Sequence, residues 1–441
     1  MSGSVTTEPT ADGGTTTTPT SGDGTTTTPT SGDGGTRPQP QPSDTIAPAA
    51  PVVSGLGARP DTAGYVVRGT AEAGSRVQVF DGTVSLGTVT AESGQGWVLP
   101  LTGELDAGTH SLTATATDAA GNRSSTSAVL PVTVRSEPAA GAEPIPISLD
   151  DGAHGVEVTR TASGDLVVTR DGTSEVLRGA DELRFIDGRL VFDQDDTASR
   201  VARIYRAGLG RDPDQGGLDY WQKAVEGGAR LSDLARGFLA SPEGQALYGA
   251  ASSDSEFVSR LYRNVLGREG DAGGQAFWTG RLGQGASRAD VLAALADSGE
   301  NRQATASQGV WDLDEGAAQV ARLYDTVFGR LPDQNGLAYW AEAVDEGRAS
   351  LQGMAQGFMA SPEYRAVYGS LSNADFVQAV YRNTLDRPGD AAGAGYWTAQ
   401  LDAGLSRAAM VVSFSESPEH VARTAADVMG SAPGQFGIRT A

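Results

Sequence analysis

The sequence predicts a multidomain chain: a disordered stalk, an all-β sandwich, a small β-layer, then all-α tandem helical repeats. Three observations predict it. The first 46 residues are low in complexity, residues 47–135 alternate apolar and polar side chains in short runs, and residues 197–430 hold four Tyr/Trp pairs at one fixed separation. Linkers are expected at 136–145 and a tail at 431–441.

In the stalk, the decamer Thr15 to Gly24 recurs from Thr25 to Gly34, and a Pro/Gln stretch runs from Pro38 to Pro42. With almost no large apolar side chains, this segment cannot offset its ordering entropy and is expected to be extended and disordered. Composition narrows the function further. The chain of 441 residues has 33 basic and 55 acidic side chains, a formal charge of −22, and Lys223 is its one lysine. Such a surface repels nucleic acid and anionic lipid, which are bound by clustered cations. The absence of cysteine excludes disulfides, thiolate zinc sites and thiol nucleophiles together. No apolar run approaches the ~20 residues that span a bilayer, and no basic-then-apolar leader follows Met1.

Residues 47–135 carry Tyr65-Val66-Val67, Arg76 to Phe80, Gly96 to Leu99, Ser111 to Ala116 and Ala128 to Val132, separated by Gly and Asp turns. Period-two alternation buries one face of each strand, and this many short strands in one segment reads as a Greek-key sandwich. Residues 146–196 read as a small β-layer. Val156 to Thr159 and Leu166 to Thr169 flank Ser163-Gly164, while Leu183 to Ile186 and Leu190 to Phe192 flank Asp187-Gly188, a hairpin signal.

The helical region is a repeat. Its pairs are Tyr205/Trp221, Tyr262/Trp278, Tyr324/Trp340 and Tyr381/Trp397, and Tyr205 to Tyr324 and Tyr262 to Tyr381 each span 119 residues. A two-unit block is therefore duplicated, giving domains at 197–310 and 311–430. Val201, Ile204, Tyr205 and Leu209 fall on one helical face, as do Val320, Leu323, Tyr324 and Phe328. The first helix stops at Gly210, and Asp214 is placed to cap a second helix carrying Leu218, Tyr220 and Trp221. A third helix holds Leu231, Leu234, Phe238 and Leu239, and Ser241-Pro242-Glu243 opens a short fourth. Neighbouring units are expected to stack to close a core.

Two resemblances follow from these residues. Gly69 to Ser75, Val77 to Phe80, Leu86-Gly87, Trp97, Leu105 to His110 and Thr117 to Asn122 resemble bacterial Ig-like domains of large surface proteins, which implies an extracellular spacer or adhesive module. Leu266-Gly267-Arg268, Asp271, Gly274 and Ala276-Phe277-Trp278 resemble the domain-of-unknown-function family 4214, as do Phe328-Gly329-Arg330, Pro332-Asp333 and Gly336 to Trp340. That family recurs in secreted, S-layer-like and haemolysin-type proteins, and the resemblance implies location more than chemistry. Ala180 to Phe185 with Asp187-Gly188 resembles the β segment that precedes helical repeats in secreted haemolysin-type calcium-binding proteins. The glycine-rich calcium nonapeptides of that group are missing here.

Candidate metal ligands are Asp212, Asp214, Asp271, Asp333, Asp390 and, on the Ig-like turn beside Asn122, Asp118. Calcium is the possible cofactor. A hard cation needs about six oxygens, so the bland reading makes these aspartates helix caps and turn formers, with the preceding Arg satisfying carbonyls. The eight repeat-core rings could instead be a stacking platform for sugars, though their spacing favours a packed core. Trp311, outside the period and in the connector between the blocks, is a freer candidate for an exposed contact, with a simple hydrophobic anchor as the default. The three histidines (His110, His154, His420) lie in separate segments, and no nucleophile elbow, phosphate loop or dinucleotide fingerprint occurs. The expected function is a secreted or cell-surface, non-catalytic structural or adhesive protein. Its partners would be extracellular protein or glycan, or further copies of itself, and its C-terminal segment from Phe436 is compatible with an export signal. The alternatives are a calcium-dependent carbohydrate binder and a glycan-active enzyme.

Overall fold

The computed structural model describes residues 44–59, 64–135, 147–148, 152–249, 252–428 and 437–440. Most of the expected stalk, the linker and most of the tail lie outside these. The sandwich is built from β1 (Val52–Ala58), β2 (Tyr65–Thr70), β3 (Arg76–Asp81), β4 (Val84–Thr90), β5 (Gly96–Pro100), β6 (Gly108–Thr117) and β7 (Leu130–Arg135). Strands β1, β2 and β5 form one antiparallel sheet; β4, β3, β6 and β7 form part of the other. Alternate residues such as Val77, Val79, Leu112, Ala114, Leu130 and Val132 meet Tyr65, Val67, Trp97 and Leu99 in the core between them. Gly69 is required at its position: a β-carbon there would lie 2.3 Å from the Trp97 ring.

The residues expected as one small β-layer divide between two sheets. After β8 (Ile147–Ser148) come β9 (Glu157–Arg160), β10 (Leu166–Arg170) and β11 (Thr173–Leu177), and β11 pairs in parallel with β7, so the second sandwich sheet runs on through β10 to β9. The run Leu166-Val167-Val168 is continuously apolar because both faces are buried. Val167 and Val176 enter the sandwich core, while Leu166, Val168 and Leu177 meet a separate core with Leu183 and Phe185. The Tyr65 hydroxyl donates to Asp165 at 2.8 Å, tying the two parts. Strands β12 (Glu182–Phe185) and β13 (Gly188–Val191) form the expected hairpin, but its turn residues are Ile186 and Asp187, with Gly188 inside the strand. Glycine is needed there: a β-carbon on Gly188 would lie 2.5 Å from the Asp312 carbonyl and 2.7 Å from the Trp311 ring.

Sixteen helices follow among the described residues, four to a unit. The first unit holds α1 (Thr197–Leu209), α2 (Gln215–Glu226), α3 (Leu231–Ala240) and α4 (Pro242–Tyr248). The second holds α5 (Asp254–Leu266), α6 (Ala272–Gly283), α7 (Arg288–Ala296) and α8 (Gly299–Thr305). Strand β14 (Val310–Leu313) separates the blocks. The third unit holds α9 (Glu315–Phe328), α10 (Gln334–Asp345), α11 (Leu351–Met359) and α12 (Pro362–Tyr368); the fourth, α13 (Asn373–Leu385), α14 (Ala391–Asp402), α15 (Arg407–Ser415) and α16 (Pro418–Val428). Each block closes its own core, because α3 packs on α7 and α11 on α15. No helix among the described residues is long and apolar enough to cross a membrane.

A buried arginine marks each closure. Arg203 on α1 is 1% exposed and bonds Asp297 after α7; Arg322 on α9, 2% exposed, meets Glu416 after α15 at 2.6 Å. The two blocks place these partners at equivalent positions. Burial opposes the charge of both arginines. At Arg322 the Glu416 and Glu315 carboxylates outweigh burial and raise its pKa. At Arg203 burial prevails over Asp297, and Arg200 and Arg302 add repulsion, so its pKa falls.

The chain between blocks is a strand: β14 pairs with β13, completing the sheet β14-β13-β12-β8. Arg189 bonds Asp196, the cap of α1, and Asp312 of β14, each at 2.8 Å. The buried Asp187 carboxylate accepts the N–H groups of Ala153 at 2.9 Å and Ile438 at 2.6 Å. Ile438 thus docks the described tail on this sheet and in the core of the second block.

Replacing Asp297 by Ala leaves a buried guanidinium facing the neutral Gln194. The loss should be about 3–5 kcal/mol, the cost of breaking a buried ion pair from one side. Hydrogen exchange should show residues 197–305 losing protection while 315–428 keep theirs. In the sandwich, burial opposes the charged form of His110, but the Asp81 carboxylate at 2.7 Å and the Asp106 carbonyl outweigh it and raise its pKa above 6.5. The His110 contribution is therefore present below about pH 6.5, down to the acid range where Asp81, itself held below its usual value, takes up a proton, and it is lost as pH rises through the raised value. An imidazole titration by NMR should show a midpoint above 6.5 that drops in Asp81→Asn.

Candidate functional site

The same side chains meet four times. In the first unit, α1 ends at Gly210, whose left-handed conformation (φ 69°) lets the chain turn back. Gly267 and Gly329 repeat it, and Asp386 takes the same conformation (φ 52°) in the fourth unit. The next residue is Arg211, Arg268, Arg330 or Arg387. Its guanidinium sits 5.3–5.5 Å from the ring centroid of Tyr205, Tyr262, Tyr324 or Tyr381. The same group bonds a glutamate on the fourth helix: Glu243 at 2.7 Å, Glu300 at 2.6 Å, Glu363 at 3.0 Å and Glu419 at 2.7 Å. One N–H also donates to the carbonyl of the following residue. The arginine therefore joins the first helix, the loop and the fourth helix.

Asp214, Asp271, Asp333 and Asp390 cap the second helices, accepting the N–H of Gly217, Gly274, Gly336 and Gly393 at 2.8–2.9 Å. Those bonds hold the Asp271 and Asp390 carboxyls below the usual range. The same glycines admit the tyrosine: a β-carbon on them would lie 2.0–2.8 Å from its hydroxyl oxygen. Burial, then the capping carboxylate, pushes the Tyr205, Tyr324 and Tyr381 hydroxyls up, keeping them protonated. Phe238, Phe358 and Phe414 stand edge-on to these tyrosines at 4.6–4.8 Å and pack against Trp221, Trp340 and Trp397. In the second unit the position equivalent to Phe414 is Leu295, buried in the same core as Tyr262.

The four tyrosines are buried, whereas the four tryptophans are half-buried. The residue before each tryptophan is exposed: Tyr220 is 64%, Phe277 58%, Tyr339 59% and Tyr396 57% open to solvent. Each of these rings stands edge-on to its tryptophan at 4.9–5.3 Å with interplanar angles of 77–80°. Sequence reasoning missed this set. Its signal was present, since a residue one step before a core-facing one is turned about 100° away from the core.

The remaining candidates have other employment. Asp212 bonds Arg206 at 2.5 Å. Asp118 accepts the Asn122 backbone N–H at 2.8 Å and its side-chain amide at 2.9 Å, which lowers its pKa. Among the described residues no three Asp, Glu or His side chains group as a metal site. Trp311 is a strand residue, not a free contact, and meets Phe185 edge-on at 5.8 Å. His420 is fully buried between Asp325 at 3.0 Å and the Ser415 carbonyl at 2.9 Å. The recurring cluster offers an arginine paired with a glutamate, an aspartate engaged by a helix N-terminus, a buried tyrosine, and one exposed aromatic face.

The family model described as Domain of unknown function (DUF4214) matches residues 193–248, 235–305, 315–366 and 355–424, together half the chain. The model described as Bacterial Ig-like domain matches residues 63–135. No curated protein matches the chain. Among solved structures, the fibronectin(III)-like modules of Clostridium thermocellum CbhA are 13% identical. The likeness covers 28% of this chain and 93% of that one, with a TM-score of 0.14.

Two glycine substitutions in α6 should move stability in opposite directions. Gly274→Ala drives a methyl into the Tyr262 hydroxyl and should cost about 1–3 kcal/mol through overpacking. Gly280→Ala meets nothing within 4 Å and should add about 1 kcal/mol by helix propensity. Urea unfolding of the full chain reads both.

Proposed function

We propose that this chain, which belongs to the DUF4214 family and carries a bacterial Ig-like domain, is a secreted or cell-surface scaffold that binds partners through its helical units and catalyses no reaction. One observation carries the reading. In each of the four units the recurring arginine pairs with a glutamate and the recurring aspartate caps a helix, while among the described residues one large aromatic side chain per unit stays open. A catalytic site needs a base or nucleophile free to reach substrate. The repeated cluster instead holds its aspartate in a helix cap and its arginine in an ion pair.

The Ig-like sandwich supports the extracellular placement, and the extension of its second sheet through β11 and β10 to β9 suits a spacer. The net charge of −22 supports solubility and argues against nucleic-acid partners.

Intact producer cells treated with an impermeant biotinylating reagent directed at carboxylates should label the protein, with further protein in the medium. Recovery solely from the cytosol, with no label, would end this reading.

A further inference from the structure

The four exposed rings share a chemistry that narrows the partner. The position is Tyr220, Phe277, Tyr339 and Tyr396, so the common element is a ring face and not a hydroxyl. Each ring is braced edge-on by the tryptophan that follows it. A braced ring offers a flat, pre-ordered face at small entropic cost. On the same side of each helix, three or four residues on, stands a hydrogen-bonding side chain: Lys223, Arg281, Glu342 or Gln400. Their charges are positive, positive, negative and neutral. What is shared is hydrogen bonding, with no preferred sign.

We infer that the four rings are stacking sites for the pyranose faces of a neutral polysaccharide. The C–H-rich face of a pyranose covers one ring, and its rim of hydroxyls suits a hydrogen-bonding neighbour of either charge. Nucleobases also stack, but their phosphates are repelled by a chain of charge −22. An apolar peptide is disfavoured because the helical neighbours of the rings are glycine, alanine and polar or charged residues, not a continuous apolar groove. Four equivalent rings suit a polymer that offers the same unit repeatedly, and weak single contacts then add through avidity. The inference rests on the reading of the helical units as the binding part of the protein and names the ligand class.

The test uses the full chain, with sedimentation on cellulose, chitin, insoluble starch and a β-1,3-glucan. Retention on at least one is expected. Each of Tyr220→Ala, Phe277→Ala, Tyr339→Ala and Tyr396→Ala should weaken it about two- to tenfold, and the fourfold variant about 100-fold or more. Tyr→Phe at 220, 339 and 396 should retain binding. The rings are mostly exposed, so far-UV circular dichroism spectra of the variants should match the parent's, separating lost binding from lost folding. The inference falls if none of the four polysaccharides retains the chain, or if the fourfold variant binds as well as the parent. It falls also if the rings instead mediate self-association, seen as a concentration-dependent oligomer that the fourfold variant loses. A chain found on the cell surface that ignores every polysaccharide overturns this inference and leaves the scaffold reading standing.

Discussion

Each helical unit depends on an arginine clamped between a tyrosine ring and a glutamate on the unit's last helix. Its parts are individually weak. A cation–π contact at an exposed site contributes about 0.5–1 kcal/mol, an exposed ion pair about 0–1 kcal/mol and a helix cap about 1 kcal/mol. Their effect comes from convergence on one loop. The aspartate cap orients a glycine, the glycine makes room for the tyrosine hydroxyl, and the tyrosine ring carries the arginine. The constant spacing from tyrosine to tryptophan is therefore a geometric requirement, since the loop and first turn between them are fully specified.

Much of this was legible in the residues. Helical spacing placed Val201, Ile204, Tyr205 and Leu209 inward, and Asp214 and Ser241 mark helix starts by their capping chemistry. Period-two alternation marked the sandwich strands. What escaped was non-local. Nothing local in Arg211 announces a bond to Glu243, 32 residues on, and Glu243 read alone is a helix-start residue. The Leu166-Val167-Val168 run reads as a buried strand, but not as one shared by two cores. The exposed rings were hidden by their own neighbours, because an aromatic beside a core tryptophan is easily taken as part of the core.

The two blocks show how a duplicated sequence becomes two independent cores. Third helices pack in pairs, α3 with α7 and α11 with α15, so a single unit leaves that face uncovered. The equivalent ion pairs of Arg203 and Arg322 sit at this closure, and their burial demands a carboxylate in register. Pairing charges this deep contributes specificity more than strength: a misregistered pairing of third helices would strand a guanidinium without its partner. The two-unit block, and not the single repeat, is thus what closes around this pair, with Val191 and Val310 of the flanking strands completing the first core.

The strand between the blocks carries a consequence for taking the protein apart. Residues 310–313 join the two blocks, and β14 hydrogen-bonds along β13 and buries Val310 in the first block's core. A cut there, or a second block expressed from residue 314 onward, does not free two independent modules. It strips the first block of a sheet neighbour, bares the backbone of β13 and empties the space under Gly188 where the Trp311 indole rested. An unpaired, apolar-sided edge of that kind invites intermolecular pairing. Dissection should keep the strand with the first block, and insolubility of a shorter piece would report a torn sheet, not an unfoldable repeat.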